Sequence, residues 1–418
     1  MKLPTYVQIE PVGQCNLRCQ MCSIQFRKDG PPFGPPALDD RDESKYVMND
    51  PFAPGLLSRL PEPPHKIILL RASRIGDFLC ATPAFRALRK ALPGTEITMI
   101  TLPMLQDLVM RSPDLDRFVA FPGFPGIAEQ FFDACRTIHF FQEMQGERFD
   151  LAVQMQGSGV YSNPFTLLLG AKVTVGYIRP GDQVGRLDAA LPYPQQVHEV
   201  QSVLALTDFL GAPAQGEYIE FPLWPRDHEA AAALLEGTES PLIGLHPAAR
   251  DATRRWALDR FAATGTELRR RYGGTLVLLG EEDEQATIDA LAQRVGKPCL
   301  NLVGKTSLTT LGAVIAQLSV LVTNDTGPAH MAYALRTPTV TVFGASSPER
   351  YGPLQDGPYR VLAYPVACRP CNYVACPIGY VCLQGVTVSQ VVEAAADIIR
   401  LAPTEQAHRL PTQFQEHR

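Results

Sequence analysis

Twice along this chain, short apolar runs alternate with longer segments of helical periodicity, and that double alternation limits the fold more than any other feature. The first series begins at Lys66-Ile67-Ile68-Leu69-Leu70 and continues through strand-like runs at Glu96 to Leu102, Arg117 to Phe121 and Phe149 to Met155. Gly76 to Leu92, just after the first run, has the apolar spacing of a helix. The second series has strand-like runs at Leu242 to His246, Thr275 to Leu279, Ser319 to Thr323 and Thr339 to Phe343. Helical stretches fall near Leu258 to Tyr272, Glu284 to Val295, Leu308 to Leu318 and Gly327 to Leu335, with a last one at Val388 to Leu401. Strands and helices in this order make a parallel sheet covered on both faces. The expectation is an α/β protein with two Rossmann-like domains of roughly 150–170 residues facing a cleft.

The expected divisions are residues 1–45, a cysteine-bearing segment; 46–64, a Pro-rich linker; 65–225 and 226–402, the two α/β domains; and 403–418, a polar tail. Glu217 to Arg226, which carries Pro222 and Pro225, reads as the hinge. With 38 Lys+Arg against 43 Asp+Glu, nothing points to a nucleic-acid partner. No apolar run reaches the roughly 20 residues a membrane helix needs, and the N-terminus lacks a secretory apolar core. A cytoplasmic protein is expected, with surface contact to the inner membrane left open.

Four polar turns, each at the C-terminal end of an expected strand, carry the candidate chemistry. That is where open α/β sheets bind ligands. Arg71-Ala72-Ser73-Arg74-Ile75-Gly76-Asp77 follows the first strand, and Asp77 reads either as a general base or as a carboxylate favoured at any helix start. His246 to Trp256 includes adjacent Arg254 and Arg255, which suit a diphosphate or a solvated basic loop, and Trp256, which suits a core. Gly280-Glu281-Glu282-Asp283-Glu284 offers carboxylates for ribose hydroxyls, or ordinary first-turn acidity. Asp325-Thr326-Gly327-Pro328-Ala329-His330 places polar side chains at a helix start, where free N–H groups and the helix dipole attract phosphate.

Taken in order, IILLRASRIGDFLCATPAFRALRKALPG, GLHPAARDATRRW and NLVGKTSLTTLGAVIAQLSVLVTNDTGPAHMAYALRTPTVTVFGASSPERYGPL resemble glycosyltransferase family 9, the ADP-heptose:lipopolysaccharide heptosyltransferases, over residues 66–400. The resemblance implies a GT-B fold, with acceptor bound by the first domain and nucleotide sugar by the second. It also implies inverting transfer of a heptose or related sugar from ADP-heptose to a lipopolysaccharide core or other envelope glycan, with no cofactor or metal required. The base maps to Asp77. The donor residues map to Arg254, Arg255, Asp325, Thr326, Gly327 and His330, with Glu284, or else Glu282, on the ribose. Arg254 stands where the family usually has Lys. Arg71 and Arg74, beside Asp77, suit an anionic acceptor such as a phosphorylated lipid core. An aspartate at a helix start is expected to have a low pKa and so to be a weak base, taking its proton late.

Seven cysteines fall in two clusters. Cys15-x3-Cys19-x2-Cys22 resembles the cluster loop of radical SAM enzymes, which implies a [4Fe–4S] cluster and S-adenosylmethionine. A Pro-rich stretch follows at once, where a working radical enzyme needs a barrel, so a remnant is the alternative. Cys368, Cys371, Cys376 and Cys382 could form a tetrahedral zinc site or remain structural thiols. Cys80, Cys135 and Cys299 are isolated and expected in the core. Besides a transferase, the chain admits two other readings: an iron–sulfur protein acting through Cys15, Cys19 and Cys22, and a nucleotide-sugar binding protein without catalysis.

Overall fold

The computed structural model describes residues 50–401. Its strands form two six-stranded sheets. In the first half they are β1 (Lys66–Leu70), β2 (Glu96–Thr101), β3 (Arg117–Ala120), β4 (Leu151–Gln154), β5 (Val173–Ile178) and β6 (Ala189–Pro192). In the second half they are β7 (Leu242–His246), β8 (Thr275–Leu278), β9 (Cys299–Asn301), β10 (Val320–Asn324), β11 (Thr339–Phe343) and β12 (Tyr359–Ala363). The sheet orders are β3-β2-β1-β4-β5-β6 and β12-β11-β10-β7-β8-β9. Counted from its own first strand, the second order is the first one over again. Every pairing in both sheets is parallel. This is the doubly wound order with a switch point between the first and fourth strands of each sheet.

The central strands β4, β7, β10 and β11 are buried along their whole length. Helices cover both faces, which is why these segments read as continuous apolar runs without alternation. The first connection shows how the local chemistry is met. The helix Ile75–Ala91 carries Asp77 in its first turn, Arg89 and Lys90 in its last, and Pro83 inside. Proline has no N–H for the carbonyl four residues back. The Thr82 hydroxyl donates to that carbonyl, Leu79 O, at 2.8 Å.

The two halves share a core. Ile75, Phe78 and Leu79 belong to one buried cluster with Leu318, Met331 and Ala332 of the second half. Full burial of a side chain such as Phe78 is worth about 1.5–3 kcal/mol. A second tie lies near the crossover, where Arg111 pairs with the buried carboxylate of Asp227 and its guanidinium lies 4.2 Å over the Trp224 ring. The expected hinge, Glu217 to Arg226, is irregular up to Pro225, which opens the helix Pro225–Leu234 at its first position. Among the described residues no helix is long and apolar enough to cross a membrane. Cys15, Cys19, Cys22 and the tail 403–418 lie outside the described residues.

Candidate active site

The switch points of the two sheets are brought against each other. A Cβ added to Gly76 would lie 2.7 Å from Cδ2 of His330, and one added to Gly327 would lie 2.4 Å from Cγ2 of Ile75. The first turns of the helices Ile75–Ala91 and Gly327–Ala334 therefore touch, and glycine at both positions is what lets them. Asp77, from the first half, and the Asp325–His330 turn, from the second, share one space.

On the first side, Arg71 is buried, with 3% of its side chain exposed. Its guanidinium donates to Met155 O at 2.5 Å, to Asp77 O at 3.1 and 3.3 Å, and to the Glu199 carboxylate at 2.7 Å. Its Nη2 lies 3.6 Å from Asp77 Oδ1. Arg71 was expected to meet an acceptor; with its donors turned inward it instead braces the Asp77 turn. Asp77 keeps 36% of its side chain exposed. Burial of the surrounding site pushes its carboxyl up to about 6; Arg71 and Arg254 oppose the rise and Glu199 adds to it. The rise runs opposite to the low pKa expected from its position at a helix start. Arg74 is half-exposed and donates to Glu129 at 2.9 Å, and Arg250 of the second half reaches the same carboxylate at 3.1 Å.

On the second side, Asp325 is 3% exposed. It accepts a hydrogen bond from the Ser346 hydroxyl, and Arg254 Nη1 lies 3.5 Å and His330 Nε2 3.9 Å from its carboxylate. Burial holds His330 below the ordinary imidazole range, against the pull of Asp325, so it is neutral at neutral pH. Burial likewise lowers His246 to about 4. Its Nδ1 is 3.1 Å from Thr323 Oγ1 and 3.4 Å from Thr326 Oγ1, so it orients hydroxyls rather than supplying charge. Asn324 pins the neighbouring loop: its Oδ1 accepts from Trp256 N at 3.0 Å, and its Nδ2 donates to Pro247 O at 2.8 Å. Trp256 is buried as expected, with Nε1 on Val386 O.

Arg254 and Arg255 part company. Arg254 is turned toward Asp325. Arg255 donates instead to the loop carbonyls of Ala249 and Arg250. Glu284 Oε2 accepts from Glu281 N at 2.9 Å, so it fills the capping role, while Glu282 is exposed and lies against Gly304.

The zinc site, one of the two readings of the C-terminal cysteines, is not assembled among the described residues. Among the described residues, no group of three or more His, Cys, Asp or Glu side chains is placed to hold a metal ion. Cys368 is exposed, Cys371 and Cys376 are half-buried, and Cys382 is turned into the apolar core. Cys376 Sγ accepts instead from Tyr380 N at 3.2 Å. Cys80 is buried and Cys299 half-buried, but Cys135, expected in the core, is exposed on the helix Ala134–Gly146.

Sequence reasoning assigned no role to Glu199, Arg350, Ser346, Glu129 or His246. His246 ends β7 and Ser346 follows β11, so their position at strand ends was a usable signal. Glu199 comes from a helix start with no motif around it, and Arg350 from a short helix at the end of the quoted family-like stretch, where no role was read for it.

Residues 137–381 match the family model of glycosyltransferase family 9 (heptosyltransferase). The chain is 20% identical over 304 residues to the lipopolysaccharide core heptosyltransferase OpsX of Haemophilus influenzae, covering 71% of this chain and 83% of that one. Its fold is similar to that of a family 9 glycosyltransferase from Veillonella parvula, with a TM-score of 0.67 at 20% identity over 81% of this chain and 98% of that one. It is also similar to the Escherichia coli ADP-heptose lipopolysaccharide heptosyltransferase II, with a TM-score of 0.65 at 20% identity over 80% of this chain and 99% of that one.

Proposed function

The chain belongs to glycosyltransferase family 9 (heptosyltransferase), and on that premise we propose that it moves a heptose from ADP-heptose to a lipopolysaccharide core acceptor by inverting transfer. The observation that carries the reading is the meeting of the two switch points, which puts Asp77 of one half beside Arg254, Asp325 and His330 of the other. The reading divides the chain near residue 225 into an acceptor half and a donor half.

In this reading the acceptor hydroxyl attacks the anomeric carbon from the face opposite the diphosphate. The new carbon–oxygen bond forms as the bond to the diphosphate breaks, and the leaving oxygen takes the electron pair. Asp77 takes the hydroxyl proton. A carboxylate near 6 is ionised at neutral pH and is a better base than an ordinary aspartate. Arg254 and the N–H groups at the start of the helix Gly327–Ala334 stabilise the charge gathering on the diphosphate. Asp325, Thr326 and His330 hold the donor, and the ribose falls to the acidic turn after β8, through Glu284 or Glu282. Arg255 acts through the loop it braces. Arg74 and Arg250, which grip Glu129 at the rim, suit an anionic group of the acceptor.

The reading is tested by incubating the protein with ADP-heptose and a heptose-deficient lipid core, and following product by mass spectrometry and anomeric configuration by NMR. Stoichiometric ADP release with one added heptose of inverted configuration is expected. ADP-heptose that is neither bound nor consumed would overturn it.

A further inference from the structure

A buried chain of charges runs from Asp77 to the second half of the molecule. Glu199 opens the helix Glu199–Leu210 and has 4% of its side chain exposed. One carboxylate oxygen accepts from Arg71 at 2.7 Å and the other from Arg350 at 2.5 Å. Arg350 lies on the short helix Pro348–Tyr351, which follows β11 in the second half. It also pairs with the Tyr193 hydroxyl and reaches Val197 O at 3.4 Å. Beside it, His198 Nε2 is 2.8 Å from Gly352 O. Residues 193–199 of the first half are thus a dock for residues 350–352 of the second. Glu199 is the member of that dock that also touches Arg71.

A buried carboxylate needs its partners, because an uncompensated charge in such a place is costly. With both guanidiniums in place Glu199 is held below the usual carboxylate range. Without Arg350, Arg71 alone must serve both Glu199 and Asp77. We propose that Glu199 is a positioning residue that links Asp77, through Arg71, to the docking of Arg350, so that the base is made ready when the two halves are together. The proposal rests on the reading of Asp77 as base and deepens it. Arg71 and Glu199, Arg254 from the donor loop and Glu129 from the rim face Asp77. So do Cys80 on its own helix, Tyr193 and Tyr351. His330 lies against Gly76. Of the ionised groups among these, Glu199 and Glu129 are each bonded to both halves, and Glu199 is the buried one and the one that also bonds Arg71.

The test is the pH dependence of kcat for the full chain and for Glu199→Gln, Arg350→Gln and Arg350→Lys. Removing Arg350 leaves more negative charge near Asp77, so the acidic limb moves up by about half a pH unit or more. Removing the Glu199 charge frees Arg71 for Asp77, so the limb moves down by a similar amount. Arg350→Lys keeps the charge and restores most of the wild-type limb. ADP-heptose titration shows that each variant folds. Opposite shifts support the proposal. Lower kcat with an unmoved limb, or shifts of the same sign, overturns it. Asp77→Asn separates the two levels: if it keeps the wild-type activity and acidic limb, the reading of Asp77 as base fails, whatever the Glu199 and Arg350 variants do.

Discussion

The turns after β1 and β10 sit at the switch points of two identically ordered sheets, yet they hold charge in different ways. The β1 turn sets Asp77 among ionised neighbours of both signs, chiefly Arg71 and Glu199. The β10 turn surrounds its one carboxylate, Asp325, with the Ser346 hydroxyl, the neutral ring of His330 and a single cation, Arg254. A carboxylate among opposing charges can be tuned to move a proton. A turn of hydroxyls, N–H groups and neutral imidazoles can bind sugar hydroxyls and a diphosphate without changing its own protonation. Fold and topology are common to both turns, and the chemistry differs because the side chains arriving from other elements differ.

If that contrast is real, the largest effect belongs to Asp77. Asp77→Ala should lower transfer by about 10²–10⁴-fold, the usual worth of a general base, with kcat measured at saturating donor. In the wild type, kcat should fall as the pH drops through about 6, because the base is then protonated. The sign for stability is the reverse. A carboxyl whose pKa is raised by folding favours the folded state below its unfolded value and loses that contribution as the pH rises through about 6. Asp77→Asn should therefore raise the Tm at pH 7.5 and do so less at pH 5.

The next effect falls on the donor side. Asp325→Ala should weaken ADP-heptose by about 1.5–3 kcal/mol, roughly 10- to 150-fold, since hydrogen bonds to a charged group lie in that range. The contact between the turns can be broken by volume alone. Gly76→Ala places a Cβ 2.7 Å from the His330 ring and should cost about 1–3 kcal/mol of stability in denaturant titration, whereas Gly94→Ala, with nothing within 4 Å, should be tolerated. The smallest effect is at the rim. Glu129→Gln loosens a partly exposed pair and should change acceptor KM only about two- to fivefold, an effect that fades at high salt.

How much of this was legible follows from where the signals lie. The helices Leu258–Tyr272 and Val388–Leu401 stand where their periodicity put them, because a long amphipathic pattern is hard to mistake. Four strands escaped, β5, β6, β9 and β12: β6 and β9 have only four and three residues, and β6 ends in Pro192 at the sheet edge, where a missing N–H is tolerated, but length does not account for β5 and β12, with six and five. The turns at strand ends could be found because topology alone singles out those positions. The protonation of Asp77 could not, since it depends on burial and on Glu199, far along the chain. Arg71 and Arg255 were legible as cations near the site, but not in the direction they point: local carbonyls and a buried carboxylate claim them. The C-terminal cysteines have ligand-like spacing, but the backbone sends Cys382 into the core and leaves Cys368 at the surface.

The division of labour between the two turns is tested most directly by calorimetric titration of ADP-heptose into the wild type, Asp77→Ala and Asp325→Ala, with ADP and UDP as comparison ligands. The account predicts saturable binding of ADP-heptose and ADP by the wild type and by Asp77→Ala alike, with binding strongly weakened in Asp325→Ala. Loss of donor binding in Asp77→Ala with binding kept in Asp325→Ala would contradict it.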